Sequence, residues 1–312
     1  MADDPTIRNH NPGDASQWLA LLNASPDCIH DFFNQRPSFE ALRMVVEHPH
    51  MDPAHNLFFA EREGRFVGYA EVWRTPGRTR TVGRVLVHPD WRRRGLGTAL
   101  LRHVERRSRA EGGRYLDVLV AGQNEAGCRF LQSHGCTRVH YGWHMVLPDV
   151  RSAAAPLWPP GYTCRTFVPG QDEVISCRLE NASFQGEWEY TPYPLAETEG
   201  FVQNPFFRPE GVFYAVSDGQ VIGECWNWID VPPSATPSPE TRGDIWCLCV
   251  LPDHRGRGLG RALLLAGIQW LRQQGMIAAC LTVDGANERA RHLYESVGFV
   301  ADRNDIWYRK EL

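Results

Sequence analysis

Apolar and polar residues follow the same order in the two halves of the chain. Apolar spacing of helical period runs over residues 98–111 and again over 261–274, and each stretch ends near a glycine, Gly112 or Gly275. Apolar runs broken by a turn with glycine predict two β-hairpins, around 58–68 and 213–223. Each half is therefore predicted to run as strand, helices, three strands, loop, helix, strand, helix and strand.

The closest repeat lies immediately before the two predicted helices. Residues 85–97 read VLVHPDWRRRGLG, and residues 248–260 read LCVLPDHRGRGLG, an offset of 163 (85 to 248). Both combine a strand-like run, a Pro-Asp turn and the pattern Arg-x-x-Gly-x-Gly. The same offset pairs Asn124 with Asn287 and Gly135 with Gly298. The pattern predicts two domains built to one plan.

Composition and turn residues set the predicted boundaries of these domains. Residues 148–160 are rich in Pro and Ala and interrupt both periodicities, which indicates a linker at 149–161 between domains at 1–148 and 162–312. The second copy also gains a Pro-rich loop at 231–240. A chain of 312 residues is long enough for two domains of ordinary size.

Charge and cysteine content exclude several classes of protein. The net charge of −4 gives no general case for nucleic-acid binding. No apolar run is long enough for a membrane span, and the polar, acidic first 25 residues do not resemble a secretory signal. The nine cysteines include no Cys-x-x-Cys pair, so neither disulfides nor a metal is expected. A reducing cytoplasm is the predicted location.

The two Arg-x-x-Gly-x-Gly segments are candidate anion sites. Glycine lets the backbone approach a ligand closely, and the first N–H groups of a helix lack intrahelical partners and attract an anion. Arginines surround both loops, which suits a diphosphate; the alternative is a helix start with a basic cap. Neither loop has the Gly-Lys-Ser/Thr ending of a nucleotide P-loop. The arginines are Arg92, Arg93 and Arg94 in the first loop and Arg255, Arg257 and Arg261 in the second.

These motifs resemble the acetyl-CoA loop of the GNAT-type N-acetyltransferase superfamily. The resemblance implies a mixed α/β (α+β) chain of two tandem acetyltransferase-type domains, each a mostly antiparallel central sheet flanked by helices. It implies acetyl-CoA as cosubstrate and no metal. The implied cofactor-binding residues are Leu248, Cys249, Val250, Arg255, Gly256, Arg257, Gly258, Leu259, Gly260, Arg261 and Asn287, with Val85, Leu86, Val87, Arg92, Arg93, Arg94, Gly95, Leu96, Gly97, Thr98 and Asn124 in the first copy.

The resemblance implies that the two halves differ chemically. Tyr294 stands where the family's tyrosine protonates the departing CoA thiolate, whereas the first copy has Leu131 there. Asp244, eleven residues before Arg255, stands where many members have the carboxylate that deprotonates the amine; the first copy has Thr81. Glu224 is the reserve candidate for this base. The alternatives are a core tyrosine and a turn aspartate. Chemistry is therefore expected in the second domain.

The acceptor is expected to be the primary amine of a small molecule, attacked directly without a covalent enzyme intermediate. Trp188, Tyr190 and Trp226, with neighbouring acidic residues, are the predicted substrate-binding residues, because an aromatic, anionic cleft suits a cationic amine. The tandem layout resembles the mycothiol synthase family, which implies a cysteinyl amine as one alternative. A CoA-binding sensor without turnover is the other. A monomer or homodimer is expected.

Overall fold

A computed structural model describes residues 5–25, 37–48, 50–74, 79–192, 194–229 and 242–312. The predicted Pro-rich loop at 231–240 lies outside the described residues. The contacts divide the chain into two compact units: unit 1 comprises Met1–Gly142 and Arg303–Leu312, and unit 2 comprises Trp143–Asp302. None of the described helices is long and apolar enough to cross a membrane.

Unit 1 contains a mostly antiparallel sheet in the order β1-β2-β3-β4-β5-β12, in which only β4 and β5 run parallel. One face of this sheet is buried in part by α4, through Leu100, Leu101 and Val104. The strands are Thr6–Asn9 (β1), Leu57–Arg62 (β2), Arg65–Arg74 (β3), Arg80–Val87 (β4), Tyr115–Ala121 (β5), Thr137–Leu147 (β6, shared with unit 2) and Val300–Glu311 (β12); the helices are Ala15–Asn23 (α1), Phe39–Glu47 (α2), Pro53–Asn56 (α3), Leu96–Ala110 (α4) and Glu125–Ser133 (α5).

Unit 2 repeats the plan with strand order β7-β8-β9-β10-β11, antiparallel except between β10 and β11. Leu263, Leu264 and Leu271 of α8 lie in the main core of this unit. The strands are Thr163–Thr166 (β7), Val212–Ser217 (β8), Gln220–Trp228 (β9), Arg242–Val250 (β10) and Ala278–Asp284 (β11); the helices are Glu173–Ser183 (α6), Leu195–Val202 (α7), Leu259–Gln273 (α8) and Glu288–Glu295 (α9). The predicted mixed α/β architecture is confirmed.

The two units differ from the predicted domains at the end of the chain. Residues Arg303–Leu312 group with unit 1, because β12 pairs with β5 from Asp305 to Glu311. Charge reinforces this pairing: the guanidinium of Arg309 donates two hydrogen bonds of 2.7 Å to the fully buried carboxylate of Asp117. Arg80 of β4 donates a further hydrogen bond of 2.6 Å to the same carboxylate, so guanidinium groups from the strands on both sides of β5 compensate its buried charge.

Candidate functional site

The second Arg-x-x-Gly-x-Gly loop turns directly into the start of α8. Gly258 caps the helix with φ +85° and Gly256 has φ +78°, a left-handed region that favours glycine. A helix start leaves its first N–H groups without intrahelical acceptors. The loop therefore presents backbone donors and the positive end of the helix dipole at one point, which suits a phosphate group.

The three arginines of this loop make contacts within the protein. Arg255 donates from Nε to the Val250 carbonyl (2.8 Å) and from Nη2 to the Ser183 carbonyl (2.8 Å). Arg257 donates to the Tyr162 hydroxyl at 2.8 Å, and Arg261 to the Ser296 hydroxyl at 2.7 Å. Arg255 thus joins the end of β10 to the end of α6. These contacts of Arg255 position the loop. The positive charge of the three guanidinium groups still favours an anion nearby.

A cleft of about 340 Å³ opens beside this loop, entirely within unit 2. It brings together most of the residues that the sequence singled out in the second copy: Leu248, Cys249, Val250, Arg255, Gly256, Gly258, Leu259, Gly260, Arg261, Asn287 and Tyr294. Residues outside the predicted catalytic, cofactor-binding and substrate-binding residues also line it: Ser183, Phe184, Glu187, His254, Arg289, Ala290 and Leu293. Arg257, Asp244, Glu224, Trp188, Tyr190 and Trp226 are not part of the lining.

Tyr294 closes one side of the cleft from α9. It is 7% exposed and packs against Phe299 at 5.9 Å between ring centroids. Burial raises the pKa of the Tyr294 hydroxyl above its ordinary value, and the neighbouring thiol and carboxyl groups add to this shift. Asn287 caps the helix by accepting a hydrogen bond from the Ala290 N–H at 3.1 Å. The helix thus holds a neutral hydroxyl, a potential proton donor, at the cleft.

The register of β9 and β10 sets which side chains share a face of the sheet. Asp244 lies opposite Trp228, Cys247 opposite Trp226 and Cys249 opposite Glu224, with a bulge between Ile245 and Cys247. Because cross-strand partners point to the same side, these three pairs lie on one face. We call this face of unit 2, which α6 covers near Glu224, the acceptor face.

The two candidate bases occupy different settings on the acceptor face. Asp244 is 8% exposed, and its Oδ1 accepts a hydrogen bond of 2.8 Å from the Cys280 thiol. Glu224 is fully buried and accepts hydrogen bonds from Ser176 and Trp226. Burial, followed by the nearby Cys249 thiol, raises the pKa of the Glu224 carboxyl well above its usual range.

Further acidic side chains, in α6 and in the segment that follows it, lie near the same face. Burial, and then the nearby carboxyls of Glu224 and Glu197, raise the pKa of the half-buried Glu180 to about 8. Burial and then Asp284 also raise the pKa of Glu187, which lines the cleft. A cation bound beside these carboxyls would favour their ionised forms, because an opposite charge lowers the pKa of a carboxyl group.

The predicted acceptor aromatics lie in different environments. Trp226 is 3% exposed and packs against Phe167 and Phe207, so burial leaves little of its ring for an acceptor. Trp188 and Tyr190 are half-buried, and the Tyr190 hydroxyl donates to the Asn181 carbonyl at 3.2 Å. The aromatic residue that sequence reasoning missed is Trp246, which lies at the bulge and is 46% exposed.

Unit 1 retains the loop but not the tyrosine. Gly95 caps α4 with φ +82°, and Arg92 donates to the Val87 carbonyl at 3.1 Å, as Arg255 does to Val250. Asn124 caps α5 through the Gly127 N–H. At the position of Tyr294, the buried Leu131 has no proton to donate.

Other parts of the unit 1 loop make local contacts. Arg94 lies over the Trp91 ring at 4.8 Å, and Arg93 has a positive φ of 62°. Thr98 Oγ1 lies 2.9 Å from His134 Nε2. A Cβ added at Gly97 would lie 3.4 Å from Phe130. Thr81, which aligns with Asp244 in sequence, is buried and donates to the Tyr115 carbonyl at 3.2 Å; the strand registers place Val82 opposite Trp73, as Asp244 lies opposite Trp228. No carboxylate therefore occupies that place in unit 1.

The family model described as the acetyltransferase (GNAT) family matches residues 18–136 and 177–299, together more than half of the chain. The chain belongs to the GNAT acetyltransferase family. A mycothiol acetyltransferase of Thermobispora bispora is 36% identical over 299 residues, covering 96% of this chain and 97% of the relative. One from Streptomyces coelicolor is 28% identical, and the match covers both chains completely.

Solved structures agree with this assignment of a tandem GNAT fold. A GCN5-related N-acetyltransferase from Sphaerobacter thermophilus has a TM-score of 0.78 and 25% identity, covering 100% of this chain and 97% of its own. A tandem GNAT protein from the clavulanic acid biosynthesis pathway has a TM-score of 0.76 and 21% identity, covering 99% and 98%. The family and its relatives show that the chain is an N-acetyltransferase, which disfavours a sensor without turnover.

Proposed function

We propose that this GNAT protein transfers an acetyl group from acetyl-CoA to the primary amine of a small molecule, with the chemistry in unit 2. The observation that carries this proposal is the single cleft that joins the end of β10, the Arg-x-x-Gly-x-Gly loop and Tyr294. Unit 1 has an equivalent loop but Leu131 in place of the tyrosine. Its role is in binding or in structure.

Each part of the cleft supplies one element of acetyl transfer. The N–H groups at the start of α8 bind the pyrophosphate of CoA. The backbone at Cys249 and Val250 supports the thioester, and an N–H there stabilises the oxyanion that forms on attack. One preorganised donor of this kind contributes about 3 kcal/mol to lowering the barrier. Holding the amine and the thioester together supplies much of the remaining acceleration.

Tyr294 protonates the departing CoA thiolate. Its buried hydroxyl has a raised pKa, so it keeps its proton throughout the neutral range. Asp244 removes the proton from the incoming ammonium, through water. Cys249 lies opposite Glu224 and Asp244 opposite Trp228, four steps further along β9, which puts Asp244 about 13 Å along the sheet from Cys249 and requires a chain of waters for the proton. Glu224 is fully buried, so its carboxyl is not accessible to the amine, and its role is to support the acceptor face.

The cysteinyl amine of a sugar–inositol thiol is the second candidate acceptor. It is favoured by the full-length similarity to relatives that carry the name mycothiol acetyltransferase. A panel of amines assayed with acetyl-CoA separates the candidates, with the rate of transfer measured as the release of the free CoA thiol. A cysteinyl glycoside preferred at least tenfold over simple alkylamines would support the narrower substrate. Equal rates would support a broader small-amine enzyme, and no transfer to any amine would contradict the proposal.

Gly258→Ala is expected to weaken acetyl-CoA binding about tenfold, equivalent to about 1.4 kcal/mol. The added Cβ strains the left-handed cap and moves the N–H donors that bind phosphate. Gly275→Ala is the matched control, because Gly275 has φ +84°, has open space around its Cα and lies at the other end of α8. Titration calorimetry with acetyl-CoA gives both affinities.

The same titration tests the first loop and the site assignment. Gly95→Ala, at φ +82°, is expected to leave kcat intact. A second binding site lost only with this variant would assign cofactor binding to unit 1 as well. Equal loss of affinity in Gly258→Ala and Gly275→Ala would mean that the loop does not bind the cofactor.

Trp246→Ala is expected to raise the acceptor KM about tenfold with little change in kcat or acetyl-CoA affinity. Its exposed ring contacts Phe201 at 4.2 Å and Trp228 at 5.8 Å, so it is held as a platform on the acceptor side. An aromatic face beside a cation contributes about 1 kcal/mol. Steady-state kinetics measure the effect, with Trp246→Phe as a control that keeps the ring. An unchanged acceptor KM would remove Trp246 from the substrate site.

A further inference from the structure

A cluster of potential metal ligands lies on the acceptor face. Among the described residues, one ligand atom each from Glu224, Cys247 and Cys249 lies within 4.8 Å of the other two. The strand register explains the cluster: Cys247 and Cys249 are two residues apart on β10 and share a face, and Glu224 lies directly opposite Cys249 on β9. Two of the three side chains are buried, and Cys247 is half-buried.

The Glu224 carboxylate is oriented as metal ligands are. Its Oε2 accepts hydrogen bonds from Ser176 Oγ at 2.7 Å and Trp226 Nε1 at 3.0 Å. Its Oε1 points to Cys249 Sγ at 3.8 Å. Hydrogen bonds of this outer kind fix the direction of a coordinating carboxylate. Ligands of a tetrahedral zinc ion with bonds of about 2.0–2.3 Å lie about 3.3–3.8 Å apart, so small adjustments suffice.

We propose that Glu224, Cys247 and Cys249 form a binding site for a soft divalent cation of the Zn²⁺ class. Two thiolates favour zinc over magnesium or calcium, which prefer oxygen ligands. Cys249 also lines the cleft, which provides an entry path and an open fourth position. The half-buried Glu180 is near enough to influence Cys247 and Glu224 electrostatically, and it places a further carboxylate on this side.

Unit 1 provides an internal comparison for this site. The strand registers place Tyr69 opposite Leu86, as Glu224 lies opposite Cys249, and Arg84 stands where Cys247 stands. Tyr69 and Leu86 are buried in an apolar cluster, and Arg84 forms an ion pair with Glu71 at 2.7 Å. These residues offer no thiolate and place a cation where the metal would lie. One site per chain is therefore expected.

Occupation of the site is expected to inhibit acetyl transfer, a consequence that rests on the proposed function. The ion would lie beside the backbone of Cys249, where the thioester and amine meet in that proposal. A cation at this position takes up the space of the acetyl group or the incoming ammonium. Zn²⁺ is therefore an inhibitor, not a cofactor, of this transferase.

Titration of the reduced full-length protein with Co²⁺ tests the site without reference to activity. We expect one Co²⁺ per chain, an intense thiolate-to-cobalt charge-transfer band in the near ultraviolet, and displacement of the band by Zn²⁺. Cys247→Ser should weaken Co²⁺ binding at least tenfold. Cys225→Ser is the matched control, because Cys225 lies on the neighbouring strand β9 but in the core beneath α8, on the other face of the sheet.

The outcomes of this titration separate the two parts of the inference. Absence of the band, or equal loss in Cys247→Ser and Cys225→Ser, would overturn the site. For inhibition, Zn²⁺ at concentrations that saturate the wild-type site should abolish transfer, whereas Cys247→Ser should keep its activity. Binding without inhibition would overturn the inhibitory role alone. Failure of acetyl transfer with every amine would leave the Co²⁺ result standing.

Discussion

Tyr294→Phe is expected to lower kcat by about 10²–10³-fold and to change acetyl-CoA affinity less than about threefold. General acid catalysis typically contributes a factor of about 10²–10⁴. The substitution keeps the aromatic ring that packs against Phe299 and removes only the hydroxyl. The loss corresponds to about 3–4 kcal/mol in the barrier. Steady-state kinetics give kcat, and calorimetry gives the affinity.

The alkaline limb of the pH profile provides a second readout for Tyr294. Burial raises the pKa of this hydroxyl above its usual value of about 10. A group with a raised pKa keeps its proton to higher pH, so wild-type kcat should not fall through ionisation of Tyr294 below that value. In Tyr294→Phe, kcat should be low across the whole range.

Tyr308→Phe is the control for this prediction. Tyr308 is likewise buried, at 3% exposed, and its hydroxyl accepts a hydrogen bond from Gln132 at 3.4 Å, but it lies in unit 1. Removing this hydroxyl should leave kcat unchanged. Equal falls in kcat and in acetyl-CoA affinity in Tyr294→Phe would contradict the acid role, since they would show that the hydroxyl binds the cofactor instead.

Local sequence patterns predicted the elements of the fold well. The helices expected at 98–111 and 261–274 begin two residues earlier, at Leu96 and Leu259, because Gly95 and Gly258 are themselves the caps. The grouping of the last strand was harder to predict. Both copies end with strands of similar pattern, so a repeat cannot show that Arg303–Leu312 pairs with β5 of unit 1. The buried pair of Asp117 and Arg309 becomes visible only in three dimensions.

The candidate site divides in the same way between local and long-range information. The loop, Asn287 and Tyr294 lie in contiguous motifs, and the cleft brings them together as expected. Other features depend on packing. Glu187 belongs to the acidic residues expected near the acceptor, but its place in the lining of the cleft beside the loop depends on the position of α6, which leaves no local pattern. The bulge in β10 exposes Trp246, whereas Trp226 is buried, and one extra residue in a strand is hard to recognise from sequence.

The proposed metal cluster shows the same limit. Cys247 and Cys249 form no Cys-x-x-Cys pair, and their third partner, Glu224, is more than twenty residues away in the chain. Only the pairing of β9 with β10 brings the three side chains together. The sequence therefore predicted no metal site, and the proposal of one rests on the strand register.

Asp244→Asn is expected to lower kcat/KM for the acceptor about 10²-fold at neutral pH. An amine with a pKa near 10 is almost wholly protonated at pH 7 and must lose a proton before it attacks. Asparagine has nearly the shape of aspartate and keeps an oxygen for the Cys280 thiol, but it cannot take up the proton. Acetyl-CoA affinity should stay unchanged, because Asp244 lies outside the cleft lining.

The pH dependence distinguishes a base from a residue that only supports the sheet. The fraction of neutral amine rises about tenfold for each pH unit below its pKa. The defect of Asp244→Asn should therefore shrink as the pH rises from 7 towards 9, whereas a folding defect would not. Glu224→Gln is the comparison, since it alters the other carboxyl of the acceptor face. If Glu224→Gln shows the pH-dependent defect and Asp244→Asn does not, the base is Glu224, and water-mediated transfer through Asp244 is wrong.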